Sequence, residues 1–414
     1  MHSYFAGKRV FVLSHEMSST GAPRVSVEFA LLLSGAGARV TLSVPPDGAG
    51  TRTVAALAAR AAVFGPGTEL LSFDVAAKMT IAASCDLVVV STADPRQLAW
   101  IAAFRSAHPR YPSLVWWVHE GPSVMSVFDP AVKARAIELM ITPGMLNTLI
   151  FPSAETREWW YGALRAAAPS APLPAAHVVH WGLPRWREAA FHVAARDSAV
   201  RAALRAEHGF TDDDFVFLVL ASYHPIKGHA GIARAFRAAR DLCTRPLRLV
   251  AAGAGLGEAG LFPTPGLEWV RDDPDMRLEG PTQRVAEYLA AADALISNTK
   301  AGGETWGLTT MEALAAGRPV LASRVGGALE QLEHNATALL HEVSRVTRPE
   351  DDDASEVPQL ALHMCAVATD AALRERLAAA GMAHVARNLG QAHLELATMK
   401  DIARTLSLKR LRAP

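Results

Sequence analysis

The chain has 414 residues, half of them hydrophobic and a fifth charged, which is more than one ordinary core needs and suits two. Lys plus Arg and Asp plus Glu both number 41, so no net charge draws the chain to nucleic acid or an anionic membrane, and charge-driven binding must be local. The opening MHSYFAGKRVFVLSHEM lacks the features of a signal peptide, and no apolar run reaches the roughly 18 residues that span a bilayer, so a cytoplasmic protein is expected.

Short β-branched runs alternate with Ala/Leu-rich helical stretches along the whole chain, the pattern of parallel sheets crossed by helices in an α/β protein. The first series of strands is expected at Arg9 to His15, Arg39 to Val44, Leu87 to Thr92, Leu114 to His119, Leu149 to Ser153 and Val178 to Trp181. The first of these runs into SSTGAPR and an apolar helix, which places Gly21 in a strand-to-helix turn, with Arg24 just beyond; the fourth ends in His119-Glu120. Trp159-Trp160-Tyr161, flanked by Arg157 and Arg165, reads as core or as a substrate wall, with peripheral membrane contact as the other option. Arg165 to Ala176 reads as a surface loop. A second series follows at Phe215 to Ala221, Leu247 to Gly253, Leu267 to Arg271, Ala294 to Asn298, Pro319 to Ser323 and Ala338 to His341. Two sheets in succession imply two Rossmann-like domains, over residues 1–190 and 191–414, with a cleft between them as the expected ligand site. Thr347 to Pro358 reads as an exposed acidic loop and SLKRLRAP as a basic terminus. Cys85, Cys243 and Cys365 are odd in number and far apart, which fits reduced structural thiols better than a disulfide frame or a zinc site.

The stretch richest in chemistry is GGETWGLTTMEALAAG, residues 302 to 317, between two strands. Gly302, Gly303 and Gly307 permit a tight loop, Thr309 to Ala316 is helix-competent, and Gly317 before Pro319 stops the helix. A helix therefore starts near Trp306 to Thr309, beyond the carboxyl end of a parallel strand, where unpaired amides and the macrodipole favour an anion such as a diphosphate. Glu304 and Glu312 bracket that start, at most about 12 Å apart at ~1.5 Å per residue. Carboxylates accept hydrogen bonds from vicinal hydroxyls, so each suits a sugar ring.

The E-x7-E spacing, the following ALAAGRPV, and Val325-Gly326-Gly327 with Glu330 together resemble the donor site of family 4 glycosyltransferases, retaining enzymes of the GT-B fold and group 1 type. The resemblance covers most of the C-terminal half. It implies two Rossmann-like domains facing a central cleft, the first binding acceptor and the second a nucleotide-sugar donor. It further implies that Glu304 contacts the transferred sugar, that Glu312 binds the ribose, and that Gly307, Leu308 and Thr309 present amides to the diphosphate. VFLVLASYHPIKGHAGIARAF is similar to the family's donor-phosphate segment and puts Lys227 on the diphosphate, although Ser222 stands where the family often has Arg. The first half matches more loosely, with Gly21 at the phosphate loop and His119 positioned to orient the sugar. The family implies transfer with retention, without metal or cofactor, to a saccharide or lipid-linked acceptor in bacterial polysaccharide or glycolipid synthesis at the inner membrane face.

Other readings carry their own signatures. A nicotinamide dehydrogenase would use Gly253, Gly255 and Gly257, but the spacing is G-x-G-x-G and the segment to Leu267 is too short for the helix that holds a pyrophosphate. A metal-dependent transferase needs Asp-x-Asp at a strand end, whereas Asp212 to Asp214 and Asp351 to Asp353 read as loops. A nucleotide-sugar epimerase and an inactive sugar-nucleotide-binding relative also suit the fold, the second because of Ser222.

Overall fold

The computed structural model of the chain describes residues 5–14, 21–44, 68–72, 75–122, 125, 130–257, 260–261, 267, 270, 272–343 and 355–390. The Asp351 to Asp353 run and the basic terminus lie outside the described residues. The chain divides into two units at Trp181/Gly182, so residues 182–190 go with the second. The helix Arg185–Arg196 explains this, since it packs on the helices Val285–Ala291 and Leu308–Ala315 of that unit.

Among its described residues the first unit holds seven strands: β1 (Arg9–Leu13), β2 (Arg39–Val44), β3 (Thr68–Ser72), β4 (Leu87–Ser91), β5 (Ser113–Trp117), β6 (Thr148–Phe151) and β7 (Ala176–Val178). They form one parallel sheet in the order β3-β2-β1-β4-β5-β6-β7. β3, TELLS, is too polar to stand out from sequence and adds a strand to the expected series. The apolar runs of β1, β4 and β5 are buried along almost their whole length, as expected for strands covered on both faces. Phe11, Trp100, Phe104, Trp116 and Trp160 fill this core, with Trp100 stacked on Phe104 at 4.7 Å.

The second unit repeats the plan with β8 (Phe215–Leu220), β9 (Leu247–Ala252), the short antiparallel pair β10 (Leu256–Gly257) and β11 (Gly260–Leu261), then β12 (Met276–Glu279), β13 (Ala294–Ser297), β14 (Val320–Ser323) and β15 (Leu339–His341). Its parallel sheet runs β12-β9-β8-β13-β14-β15. The strand beside β9 is β12, not the expected Leu267 to Arg271, which falls partly outside the described residues. In MRLE only Met276 is fully buried, which fits the edge position of β12, and hydrophobicity alone passes over such a strand. In this sheet the order reverses between β8 and β13, and loops leaving the carboxyl ends at such a reversal are where open α/β sheets bind ligands.

A partly buried triad fastens β12 to the helices. His208 donates from Nδ1 to the Leu204 carbonyl at 2.8 Å and pairs through Nε2 with Glu279, which also accepts the Tyr288 hydroxyl. A carbonyl and a carboxylate can only accept, so both ring nitrogens must donate and the imidazolium fits best. The bond to Glu279 accordingly holds His208 above its ordinary range. A raised folded value means this stability is complete below the unfolded value of about 6.5 and is lost as pH climbs through the folded value. His208→Gln should therefore cost about 2 kcal/mol at pH 6 and clearly less at pH 9, read by urea unfolding. An equal cost at both pH values would exclude a charged His208.

Candidate functional site

The site is built from the loops after β8 and β13. Leaving β8, Tyr223 turns inward, its buried hydroxyl donating to the Ala251 carbonyl at 2.5 Å and accepting the Glu279 N–H at 3.0 Å. Pro225–Lys227 then make one 3₁₀ turn, capped by His224, whose Nδ1 accepts the Ile226 N–H at 3.2 Å. Burial and the nearby Lys227 hold His224 below its ordinary range, which suits a ring that accepts. Gly228 follows at φ 65°, and a Cβ there would lie 2.3 Å from the Asn298 carbonyl oxygen. Only glycine allows this approach. The turn aims Lys227 across to the other loop, where Nζ donates to Glu304 Oε2 at 3.3 Å and to Thr299 Oγ1 at 3.5 Å; the Thr299 hydroxyl donates to the same Glu304 oxygen at 3.1 Å. Lys227 and Glu304, 77 positions apart, thus form one charged cluster.

Beneath them, Asn298 donates from Nδ2 to the Gly228 carbonyl at 3.1 Å and to Glu356 at 3.3 Å, and accepts from His341 Nε2 at 2.8 Å. Lys300 pairs with Glu356, and all four side chains are buried. Burial, with His363 and Lys300 nearby, pushes His341 down to about 3, so it donates as a neutral ring.

The loop 301–307 leads into the helix Leu308–Ala315, with Gly303 packed on Ile226 and Gly307 as N-cap. Gly307 has a different part from the one expected. Its N–H donates to Gln331 Oε1 at 3.0 Å and its carbonyl accepts from Gln331 Nε2 at 3.2 Å, so this amide is already spent on a buried side chain. Leu308 and Thr309 occupy the first turn, where N–H groups have no carbonyl of the same helix to bond. Glu312, inside the helix, is fully buried and ion-paired with Arg187 of the helix Arg185–Arg196; the guanidinium also lies 5.7 Å from the Phe191 ring centre. Sequence reading missed Arg187. Its signal was Phe191 one helical turn further on, which gives an arginine an apolar seat.

Gly21 and His119 belong to the first unit. Gly21 is exposed and opens the helix Gly21–Gly35, while residues 15–20 before it lie outside the described residues. His119 follows β5 and stacks on Trp117 at 5.3 Å. Its neighbour Glu120 was not assigned from sequence. The Glu120 carboxylate accepts the Ala93 N–H at 3.0 Å, and desolvation pushes its carboxyl up to about 7. Thr92 beside it holds φ 72°, a costly conformation for a branched residue, with its carbonyl accepting the Trp116 indole N–H at 2.6 Å. Trp160 is core, and the polar atoms of Trp159 and Tyr161 bond to Glu155 and Pro174 of the same unit.

The residues of the rival readings are engaged elsewhere. Asp214 is buried, pairs with Arg248 at 2.8 Å and accepts the Thr211 N–H at 2.7 Å. After β9 the glycine-rich segment enters the antiparallel β10–β11 pair, and among the described residues there no helix start follows it.

Comparison with known proteins agrees with this architecture. Residues 6–184 match the model described as glycosyl-transferase family 4, and residues 200–350 the model described as glycosyl transferases group 1. The D-inositol 3-phosphate glycosyltransferase of Segniliparus rotundus is 32% identical over 135 residues, 31% of this chain and 28% of that protein. The N-acetyl-alpha-D-glucosaminyl L-malate synthase of Bacillus anthracis is 25% identical over 163 residues, 39% of this chain and 40% of that protein. Both matches therefore span less than half of the relative's own length. Among solved structures, Anabaena HepE in complex with UDP-glucose superposes with a TM-score of 0.75 at 18% identity, covering 97% of this chain and 99% of that one.

The Gln331 bond is testable by itself. Gln331→Leu keeps the volume but strands the buried Gly307 N–H and carbonyl, and should lower unfolding stability by about 2 kcal/mol. A denaturation midpoint unchanged from wild type would mean that Gln331 does not hold the helix start.

Proposed function

The chain belongs to the GT-B glycosyltransferases, and from that membership we propose that it moves a sugar from a nucleotide diphosphate to an acceptor hydroxyl with retention of configuration. The observation that carries the proposal is the meeting of Lys227 and Glu304 beside the start of the Leu308–Ala315 helix. A diphosphate takes its bonds from the Leu308 and Thr309 amides and its counter-charge from Lys227, with Gly307 setting the turn. Glu304 meets the transferred sugar and Glu312 the ribose, with Glu312 oriented by its ion pair with Arg187. In the first unit, His119 and Gly21 are the residues assigned to substrate contact.

The chemistry follows from these groups. As the glycosidic bond breaks, negative charge grows on the leaving phosphate, and preorganised N–H groups plus an ammonium stabilise it at no reorganisation cost. The sugar ring becomes cationic, which favours a carboxylate beside it. The leaving phosphate accepts the proton of the incoming hydroxyl on the same face, so no carboxylate nucleophile is required. This arrangement needs no metal. A UDP-sugar is the first donor to test, since HepE was solved with UDP-glucose. A saccharide or lipid-linked acceptor, in bacterial polysaccharide or glycolipid synthesis at the cytoplasmic membrane face, completes the proposal; among the described residues no helix is long and apolar enough to cross a membrane.

Ser222 favours a second reading, a protein that binds sugar nucleotides without transferring them, because it leaves the phosphates one arginine short of the family's usual pair. Turnover separates the two. Hydrolysis or transfer from a nucleotide-sugar panel should persist in excess EDTA, whereas loss restored by manganese would contradict the metal-free reading. Lys227→Ala should lower kcat/KM by about 10²-fold, on the order of 3 kcal/mol of transition-state stabilisation. An undiminished rate would remove Lys227 from the site.

A further inference from the structure

Cys243 and Cys365 lie 122 positions apart, and spacing alone reads them as separate thiols. Folding brings their sulfurs to 2.9 Å. Cys243 caps the C-terminus of the helix His229–Leu242, Cys365 lies within the helix Val357–Thr369, and the two helices pack through Phe236, Ala239, Leu360, Ala361 and Met364. Both thiols are half-buried near the surface, where the adjacent Leu242 and Leu362 are exposed, while Cys85 is buried in the other unit. A disulfide needs its sulfurs at about 2.05 Å, so the two have roughly 0.9 Å still to close.

We propose that Cys243 and Cys365 are a reversible modification site, converted to an intramolecular disulfide by exchange with a small-molecule disulfide. The Cys365 thiolate attacks the external disulfide, breaks its S–S bond and releases one small thiol. Cys243, its proton passed to solvent, then attacks the Cys365 sulfur, forms the new bond and expels the second small thiol. Two electrons pass to the external disulfide, and the two protons leaving the protein end on the two released thiols. Burial and the neighbouring Cys365 hold the Cys243 thiol above its ordinary range, and the exchange balances in the same way whichever of the two sulfurs attacks first.

The bond would close a ring containing β9 to β15 and with them Glu304, Glu312 and the Leu308–Ala315 helix. It would also tie together two helices whose N-terminal ends meet at Asn298, one through Gly228 and the other through Glu356. Oxidation would thus brace the framework under the candidate donor loop.

The test uses the full chain equilibrated with graded ratios of oxidised to reduced glutathione, acid-quenched, alkylated with N-ethylmaleimide, digested and analysed by mass spectrometry. The expected product is one peptide pair joined through Cys243 and Cys365, with Cys85 alkylated and the melting temperature raised by about 5 °C until dithiothreitol is added. Cys365→Ser should abolish both effects and Cys85→Ser should keep both. Persistent alkylation of both cysteines under oxidising ratios, glutathione held as a mixed disulfide without cross-link, or a bond joining two chains would overturn the proposal. No readout depends on sugar transfer, so the result stands apart from that reading.

Discussion

The missing side chain at Gly228 is the constraint on which the second unit's site depends. A methyl group there would meet the Asn298 carbonyl at 2.3 Å, so any other residue would drive the β8 and β13 loops apart. With glycine, the Gly228 carbonyl accepts from Asn298, and Lys227 one residue earlier reaches Glu304 and Thr299. The positive φ alone would cost a branched residue about 1–2 kcal/mol, and the backbone clash would add to it. Asn298 is fixed in turn by His341 and Glu356, so the charged cluster rests on a buried polar network in which each bond orients the next.

The same economy governs the helix start. A free N-terminus favours an anion, but an unsupported one frays, and here Gln331 secures the turn at Gly307 while leaving the next positions to a ligand. Within the helix, an ionised Glu312 buried alone would cost several kcal/mol, which is the load Arg187 offsets. Breaking such a pair by deleting one partner costs about 3–5 kcal/mol, so Arg187 ties the site's integrity to that of the unit. The helix that carries Arg187 begins three residues after the division between units, which shows why that connection folds with the second.

Most of the strands were legible because each parallel strand, covered on both faces, is a short run of buried β-branched or aromatic residues, as in FVFLVL and LVVVS. β3 and β12 were not: TELLS and MRLE carry polar or charged residues among few apolar ones, and β12 buries only part of its side chains, so their sequences look like loops. The Glu304 and Glu312 pair and the glycines could be read because their spacing maps directly onto one loop and one helix. Arg187, Gln331 and the Cys243–Cys365 contact could not, because each joins segments far apart in sequence whose approach only packing decides. Glu120 stood in plain view after His119, but its shifted protonation comes from burial, which sequence does not show.

In the proposed donor site a nucleotide lies along the Leu308–Ala315 helix start, with the sugar toward Glu304 and the ribose toward Glu312. Calorimetric titration of the folded wild type, Glu304→Gln and Glu312→Gln with UDP alone tests it most directly, because that ligand carries a ribose and a diphosphate but no transferred sugar. Glu312→Gln should weaken binding by about tenfold, near 1.4 kcal/mol, and Glu304→Gln should leave it almost unchanged while depressing kcat. Equal weakening by both variants, or a greater loss from Glu304→Gln, would contradict the assignment.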